Sequence, residues 1–165
     1  MSKALGNGID SLDMISKYGA DSVRLALMIG TTPGNDTRLS EEKIKNYRNF
    51  VNKLWNIARF ILMSVEKPHL VEQAPKGSTV SDKWILSKFQ RLIEATSKNI
   101  EEYRFSQAGE DLYQFTWSEL ADWYVEDAKV ESNKDEILLY LLTNILKLWH
   151  PFTPYVTEVL WSELA

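Results

Sequence analysis

A chain of 165 residues with no Cys, only two His and a net charge of -4 excludes several chemistries at once. Without Cys there is no disulfide, no thiolate nucleophile and no Cys-ligated zinc, which leaves a reducing cytoplasm as the default setting; His69 and His150 lack the spacing of a helical metal site, so no metal is expected. The acidic balance is unlike that of a general nucleic-acid binder, so any contact with a polyanion must come from locally gathered positive charge.

Residues 1 to 9 read as a loop, with Lys3 ahead of Gly6-Asn7-Gly8. No apolar segment follows that would make a secretory signal. From Asp10 the pattern turns helical through Leu12, Ile15 and Tyr18, with Gly19 just past the end. Asp21 opens a second helix carrying Val23, Leu25, Leu27 and Ile29, although "VRLAL" also suits a short strand. The segment "GTTPGNDTRLS" is a turn built on Pro33-Gly34-Asn35-Asp36.

Ser40 caps the next helix, with Glu41 and Glu42 in its first turn, where the helix dipole favours negative charge. Its apolar residues Ile44, Tyr47, Val51, Leu54, Ala58, Ile61 and Val65 alternate steps of three and four, the mark of one buried stripe. Pro68 stops it, and "KPHLVEQAPKGST" reads as a linker. Ser81 is expected to cap a helix striped by Ile85, Phe89, Leu92, Thr96, Ile100 and Tyr103. A break near Arg104 leads to another, striped by Ala108, Leu112, Phe115 or Thr116, Leu120, Trp123 and Ala128. Asn133 with Glu136 resembles a capping box. The following run, "ILLYLLTNILKLW", is too short to span a bilayer and is interrupted by Thr143, Asn144 and Lys147, so it is expected to lie in the middle of a bundle. Pro151 ends it, and Thr153-Pro154 starts a last helix with Thr as cap and Pro at its first position. The expected fold is all-α: an antiparallel helical bundle over residues 40–165, preceded by a small connecting segment over residues 1–39.

Three groups of residues could carry chemistry. A Lys beside glycines suits phosphate, because backbone amides can approach and the ammonium is a point charge; with no Walker pattern and no preceding strand, its spacing alone favours a solvated terminus. The face of the long helix opposite its stripe holds Glu42, Lys45, Asn49, Lys53, Asn56, Phe60 and Met63. A Phe among Lys and Asn suits single-stranded bases, with the ring stacking, the amides bonding base edges and the ammonium meeting phosphate. Alternatively the linker at residues 69–79 folds back over it. Glu119, Asp122 and Glu126 share a face, but without His or a Gly-rich cleft they read as a solvated or salt-bridged surface. Trp117, Trp123 and Tyr124 read as helix seam and His150 as structural.

Several stretches together resemble class I aminoacyl-tRNA synthetases. "MSKALGNGID" is similar to their KMSKS signature loop entered at its second position, and "KYGADSVRLAL" to the segment after that loop in the valine, isoleucine and leucine enzymes. "GNDTRLSEEKIKNYRNFVNKLWNIARF", "WSELADWYVEDAK" and "WHPFTPYVTEVLW" follow in the order of that group. "NKLWNIARF" with "DWYVEDAK" favours its valine-specific branch. The resemblance covers essentially the whole chain. It implies a C-terminal fragment of an ATP-dependent, cytoplasmic ligase, with the catalytic domain upstream in the same chain.

In that reading Met1, Ser2, Lys3 and Ala4 belong to the ATP loop. Lys3 would stabilise ATP phosphates, with Mg2+ present in the full-length enzyme, and the fragment alone would bind no cofactor and catalyse nothing. The first Lys of the signature is absent, and its final Ser is Ala4, which removes one hydroxyl. The bundle would receive the anticodon loop of tRNA(Val), with Asn49, Lys53, Asn56 and Phe60 as contacts, Arg48 and Arg59 flanking, and no membrane involved. The competing reading is a helical protein-interaction domain without an RNA role.

Overall fold

The computed structural model describes residues 9–31 and 39–164, and every regular element among them is helical. Met1, Ser2, Lys3 and Ala4 of the signature-like loop, and the turn at Pro33-Gly34-Asn35-Asp36, lie outside the described residues.

Helix α1 (Ser11–Tyr18) is capped by Asp10, whose carboxylate accepts from the amide of Leu12 at 2.9 Å. Gly19, at φ +86°, turns the chain directly into α2 (Ala20–Met28). The possible strand at Val23–Leu27 is therefore helix. A period of two would put Val23, Leu25 and Leu27 on one face, but the structure buries Ala26 and leaves Leu27 52% exposed. Val23 and Ala26 pack on Ile44, while Leu25 and Ile29 join the main core.

Helix α3 (Glu41–Ser64) begins at Ser40, whose hydroxyl accepts from the amide of Lys43 at 3.2 Å. Its buried side is centred on Phe50, Leu54, Ile57 and Ile61, so two residues outside the expected stripe, Phe50 and Ile57, hold its middle. Helix α4 (Val80–Glu101) is capped by Thr79, not by Ser81. The Thr79 hydroxyl accepts from the Asp82 amide at 3.2 Å, and the Asp82 carboxylate accepts from the amides of Thr79 at 2.9 Å and Ser78 at 3.0 Å, a reciprocal arrangement that leaves Ser81 inside the first turn. Tyr103 is no part of the stripe: it adopts φ +60° just after the helix and is exposed.

Residues 105–128 form one rod: α5 (Phe105–Gln114), a π-helical segment (Phe115–Tyr124) and α6 (Val125–Ala128). Ala108, Leu112, Thr116, Leu120 and Tyr124 are all fully buried, a strict repeat of four. In an α-helix that repeat drifts around the rod, because a turn takes about 3.6 residues; bonding to the fifth residue instead of the fourth widens the turn and cancels the drift. Both alternatives at the ambiguous position, Phe115 and Thr116, are buried, whereas Trp123 is 49% exposed and Tyr124 takes the inner place expected of it.

Asn133 forms no capping box. It sits at φ +63°, and α7 (Asp135–Trp149) starts at Lys134 without a side-chain cap. Helix α7 is buried almost all round, as expected of the central helix. Helix α8 (Pro154–Ser162) has Pro at its start. Thr153 stands at the cap position, but its side chain accepts from no helix amide; its hydroxyl instead donates to the carbonyl of Trp149 at 3.2 Å. Asp21 of α2 takes that role from a distance, accepting from the amides of Tyr155 at 3.3 Å and Val156 at 2.8 Å. Burial pushes the Asp21 carboxyl up, and those two amides oppose the shift. Arg24, one turn on, donates to the carbonyls of Pro151 at 2.8 Å and Phe152 at 3.1 Å. Gly109 completes this junction, since a Cβ there would stand 2.6 Å from Ile29.

Side-chain pairs fix the helix directions. Phe50 meets Tyr113 and Trp117, and Lys53 meets Asp122, so α3 and the rod run parallel. Trp84 meets Trp123 and Phe89 meets Phe115, so α4 opposes the rod. Trp149 donates its indole N–H to Thr116 at 3.0 Å, and Lys134 lies over Tyr124, so α7 opposes it as well. The result is an up-down-up-down bundle, with α1, α2 and α8 at the end where α3 begins.

Candidate nucleic-acid interface

The surface of α3 is set by which neighbours cover its two flanks. On one flank Arg48, Asn52, Trp55 and Arg59 follow at steps of four, three and four and are all exposed. Those steps place them in one row on a helix. Trp55, which sequence reading passed over, is 42% exposed in the middle of the row. Among the described residues, neither Arg48 nor Arg59 has a carboxylate partner. Asn49 and Asn56 are exposed between the two flanks.

The other flank faces the rod. Lys53 donates to Asp122 at 2.7 Å and lies 5.0 Å from the ring centre of Trp117. Phe60 is half-buried against the core. Over its ring stands the ammonium of Lys129, just past α6, 5.4 Å from the ring centre and bonded to Glu126 at 2.6 Å. The six residues picked from sequence therefore divide. Arg48, Asn49, Asn56 and Arg59 are open to solvent, while Lys53 and Phe60 sit in a seam whose other wall is Trp117, Asp122 and Lys129.

Three residues of this surface, Asn52, Trp55 and Lys129, were missed in sequence. Asn52 and Trp55 were legible, since Arg48, Asn52, Trp55 and Arg59 form a helical row of cations, amide and aromatic. Lys129 was not, because its place over Phe60 depends on the parallel course of the rod.

The surface is suited to binding rather than to bond-making. It offers exposed rings, amides and ammonium or guanidinium groups, the set that stacks bases, bonds their edges and meets phosphate. Among the described residues there is no group of His, Asp and Glu that could hold a metal ion, and no helix long and apolar enough to cross a membrane.

Comparison with known proteins agrees with this character. Residues 82–165 match the family model described as the anticodon-binding domain of tRNA ligase, and residues 1–40 match that of tRNA synthetases class I (I, L, M and V). The valine–tRNA ligase of Bacillus thuringiensis subsp. konkukian is 44% identical over 99% of this chain, and that of Staphylococcus saprophyticus is 42% identical over 99%. The chain spans only 20% of the length of these curated relatives. Among solved structures, the ternary complex of Agrobacterium radiobacter K84 agnB2 LeuRS-tRNA-LeuAMS aligns with a TM-score of 0.78 at 21% identity, over 100% of this chain and 20% of that one; it shares the fold. The chain belongs to the family of anticodon-binding domains of tRNA ligases.

Proposed function

We propose that this chain is the tRNA-reading portion of a cytoplasmic valine–tRNA ligase and that α3 receives the anticodon region of tRNA(Val). The observation that carries the reading is the pairing of family with surface: residues 82–165 match an anticodon-binding domain, and α3, packed in the same bundle just before them, exposes Arg48, Asn52, Trp55, Asn56 and Arg59 side by side. Asn49 and Asn56 would bond base edges, and Arg48 and Arg59 would meet phosphates. Lys53 and Phe60 would join once RNA displaces Asp122 and Lys129 from them.

The proposed division of labour is compatible with the two family matches, over residues 1–40 and 82–165, and assigns the stretch between them to the bundle. Residues 1–39 would connect to a catalytic domain elsewhere in the same ligase, and residues 40–165 would form the RNA-binding bundle. In the whole ligase ATP, with Mg2+, would activate valine as its adenylate. The part played there by Met1, Ser2, Lys3 and Ala4 would be electrostatic, with the Lys3 ammonium opposite the phosphates. Among the described residues every regular element is helical, and this portion by itself would not attach valine to tRNA, the adenylate being formed in the catalytic domain proposed above.

The test is titration with the valine anticodon stem-loop and with a mismatched one, at two salt concentrations. Preferential binding of the first, weaker at high salt, is expected from phosphate contacts; a protein-interaction domain would bind neither. Phe60→Ala should cost about 1–3 kcal/mol of binding if a base stacks there. An unchanged affinity in a folded variant would remove Phe60 from the contact set.

A further inference from the structure

We propose that Trp123, bracketed by Lys53 and Lys88, is a second stacking site for single-stranded RNA, and that Asp122 and Glu119 hold the places of phosphates until RNA arrives. This inference rests on the RNA-binding reading above and extends it from α3 across the rod to α4.

Trp123 does not serve the core. Leu120 and Tyr124 already fill the inner positions of the π-helical segment and are fully buried, while Trp123 points out from its other side. Its ring is propped against Trp84 of α4, with centroids 4.6 Å apart and planes at 60°. A propped ring loses little freedom when a base stacks on it, so more of the stacking energy appears as affinity.

The cations beside it are held in one repeated way. Lys53 lies over Trp117 at 5.0 Å and bonds Asp122 at 2.7 Å. Lys88 lies over Trp84 at 5.8 Å and bonds Glu119 at 3.1 Å. Each ammonium is thus fixed on an indole face with one carboxylate completing its charge. Both pairs are open to solvent on at least one partner, and exposed pairs of this kind contribute little to stability. A phosphate can replace the carboxylate at small cost while the ammonium stays over its ring.

As it stands the strip is locally neutral, two ammoniums against two carboxylates, which suits a chain of net charge -4. A bare polyanion gains nothing by approaching. RNA that also sets a base on Trp123 recovers the loss, so the carboxylates favour an unpaired strand over a duplex, whose bases cannot reach the ring. The Trp84–Trp123 pair is flanked by Lys53 and Lys88, a ring-and-cation set that suits bases and phosphates.

The experiment is fluorescence anisotropy of the whole 165-residue chain with labelled valine anticodon stem-loop and with the stem duplex alone. Trp123→Ala should weaken stem-loop binding by roughly 5- to 100-fold, and Trp123→Tyr should keep most of it. Asp122→Asn and Glu119→Gln should each tighten binding and steepen the fall of log K with log salt by about 0.7 for each phosphate gained. Should Trp123→Ala lower the melting temperature, the comparison of folded Trp123→Tyr with folded Trp123→Leu decides: a ring-dependent affinity supports the site. Wild-type binding that neither Trp123→Ala nor Trp123→Leu alters overturns the strip and leaves the α3 reading standing. Weaker binding by Asp122→Asn overturns the placeholder role. Equal binding of duplex and stem-loop overturns the preference for single strands, and no binding of either RNA overturns the strip and the α3 reading together.

Discussion

Two regions of this bundle use a lysine, a carboxylate and an aromatic ring, and they use them for opposite ends. Between the starts of α4 and α7, Lys134 bonds Asp82 and Glu131 and faces Tyr124, with the side chains of Lys134 and Asp82 only 3% and 2% exposed. The Tyr124 hydroxyl donates to Asp82 at 2.9 Å, and Lys134 also donates to the Thr79 hydroxyl at 2.9 Å. Every partner is committed, and the cluster locks the cap of α4 to the head of α7. On the outer surface the Lys53–Asp122 and Lys88–Glu119 pairs repeat the chemistry in water, where each partner can be exchanged. Burial, and not the identity of the residues, decides whether such a triad is a lock or a contact surface.

The comparison breaks most sharply at Lys134. Lys134→Met leaves Asp82 buried without its cation and should cost about 3–5 kcal/mol, measured by urea or thermal unfolding. A loss below 1 kcal/mol would put the buried pair in the same class as the surface ones.

Acid sharpens it next. Burial alone would raise the Asp82 carboxyl above its ordinary value of 3.8, but the bonds from Lys134, Thr79, Tyr124 and Ser78 hold it well below. A depressed carboxylate contributes its full stability above the unfolded value and loses it as pH falls. Lys134, raised above 10.5 by Asp82 and Glu131 against the opposing effect of burial, contributes fully below 10.5 and loses as pH rises past it. Stability should therefore drop below about pH 3.8 and again above about 10.5, and urea titrations across pH should lose the acid limb in Asp82→Asn.

A smaller effect is expected at the junction. Asp21→Ala removes the acceptor at the head of α8 and should cost about 1–2 kcal/mol, as helix caps do, with hydrogen exchange at Tyr155 and Val156 rising most. The smallest is expected at Lys53: Lys53→Met should change stability by about 1 kcal/mol or less while weakening stem-loop binding.

Much of the bundle was legible because its signals are local. The stripe of α3, the apolar run of α7, Ser40 as a cap and Pro154 at a helix start all follow from neighbours in sequence. What was not legible depends on distant partners. Thr79 and Ser81 are equivalent hydroxyls by sequence, and the reciprocal bond with Asp82 selects Thr79. Thr153 looks like a cap, but Asp21 arrives from α2 to do that work. Asn133 and Glu136 have capping-box spacing, yet Lys134 turns inward to Asp82 and Asn133 takes a left-handed conformation instead. The two flanks of α3 look alike in sequence, and the rod alone distinguishes Lys53 and Phe60 from Arg48 and Arg59. The choice between Phe115 and Thr116, left open by periodicity, was the one trace of the π-helical segment.

That segment makes residue count part of the code. Five buried spokes at strict fours, from Ala108 to Tyr124, hold their line only while the number of residues between them is kept. Exchanging one outward residue for another disturbs a single position. Deleting one swings everything beyond it by roughly a quarter of a turn, carrying Trp123 off Trp84 and Lys129 off Phe60 together. Over this stretch an altered length should prove graver than an altered letter.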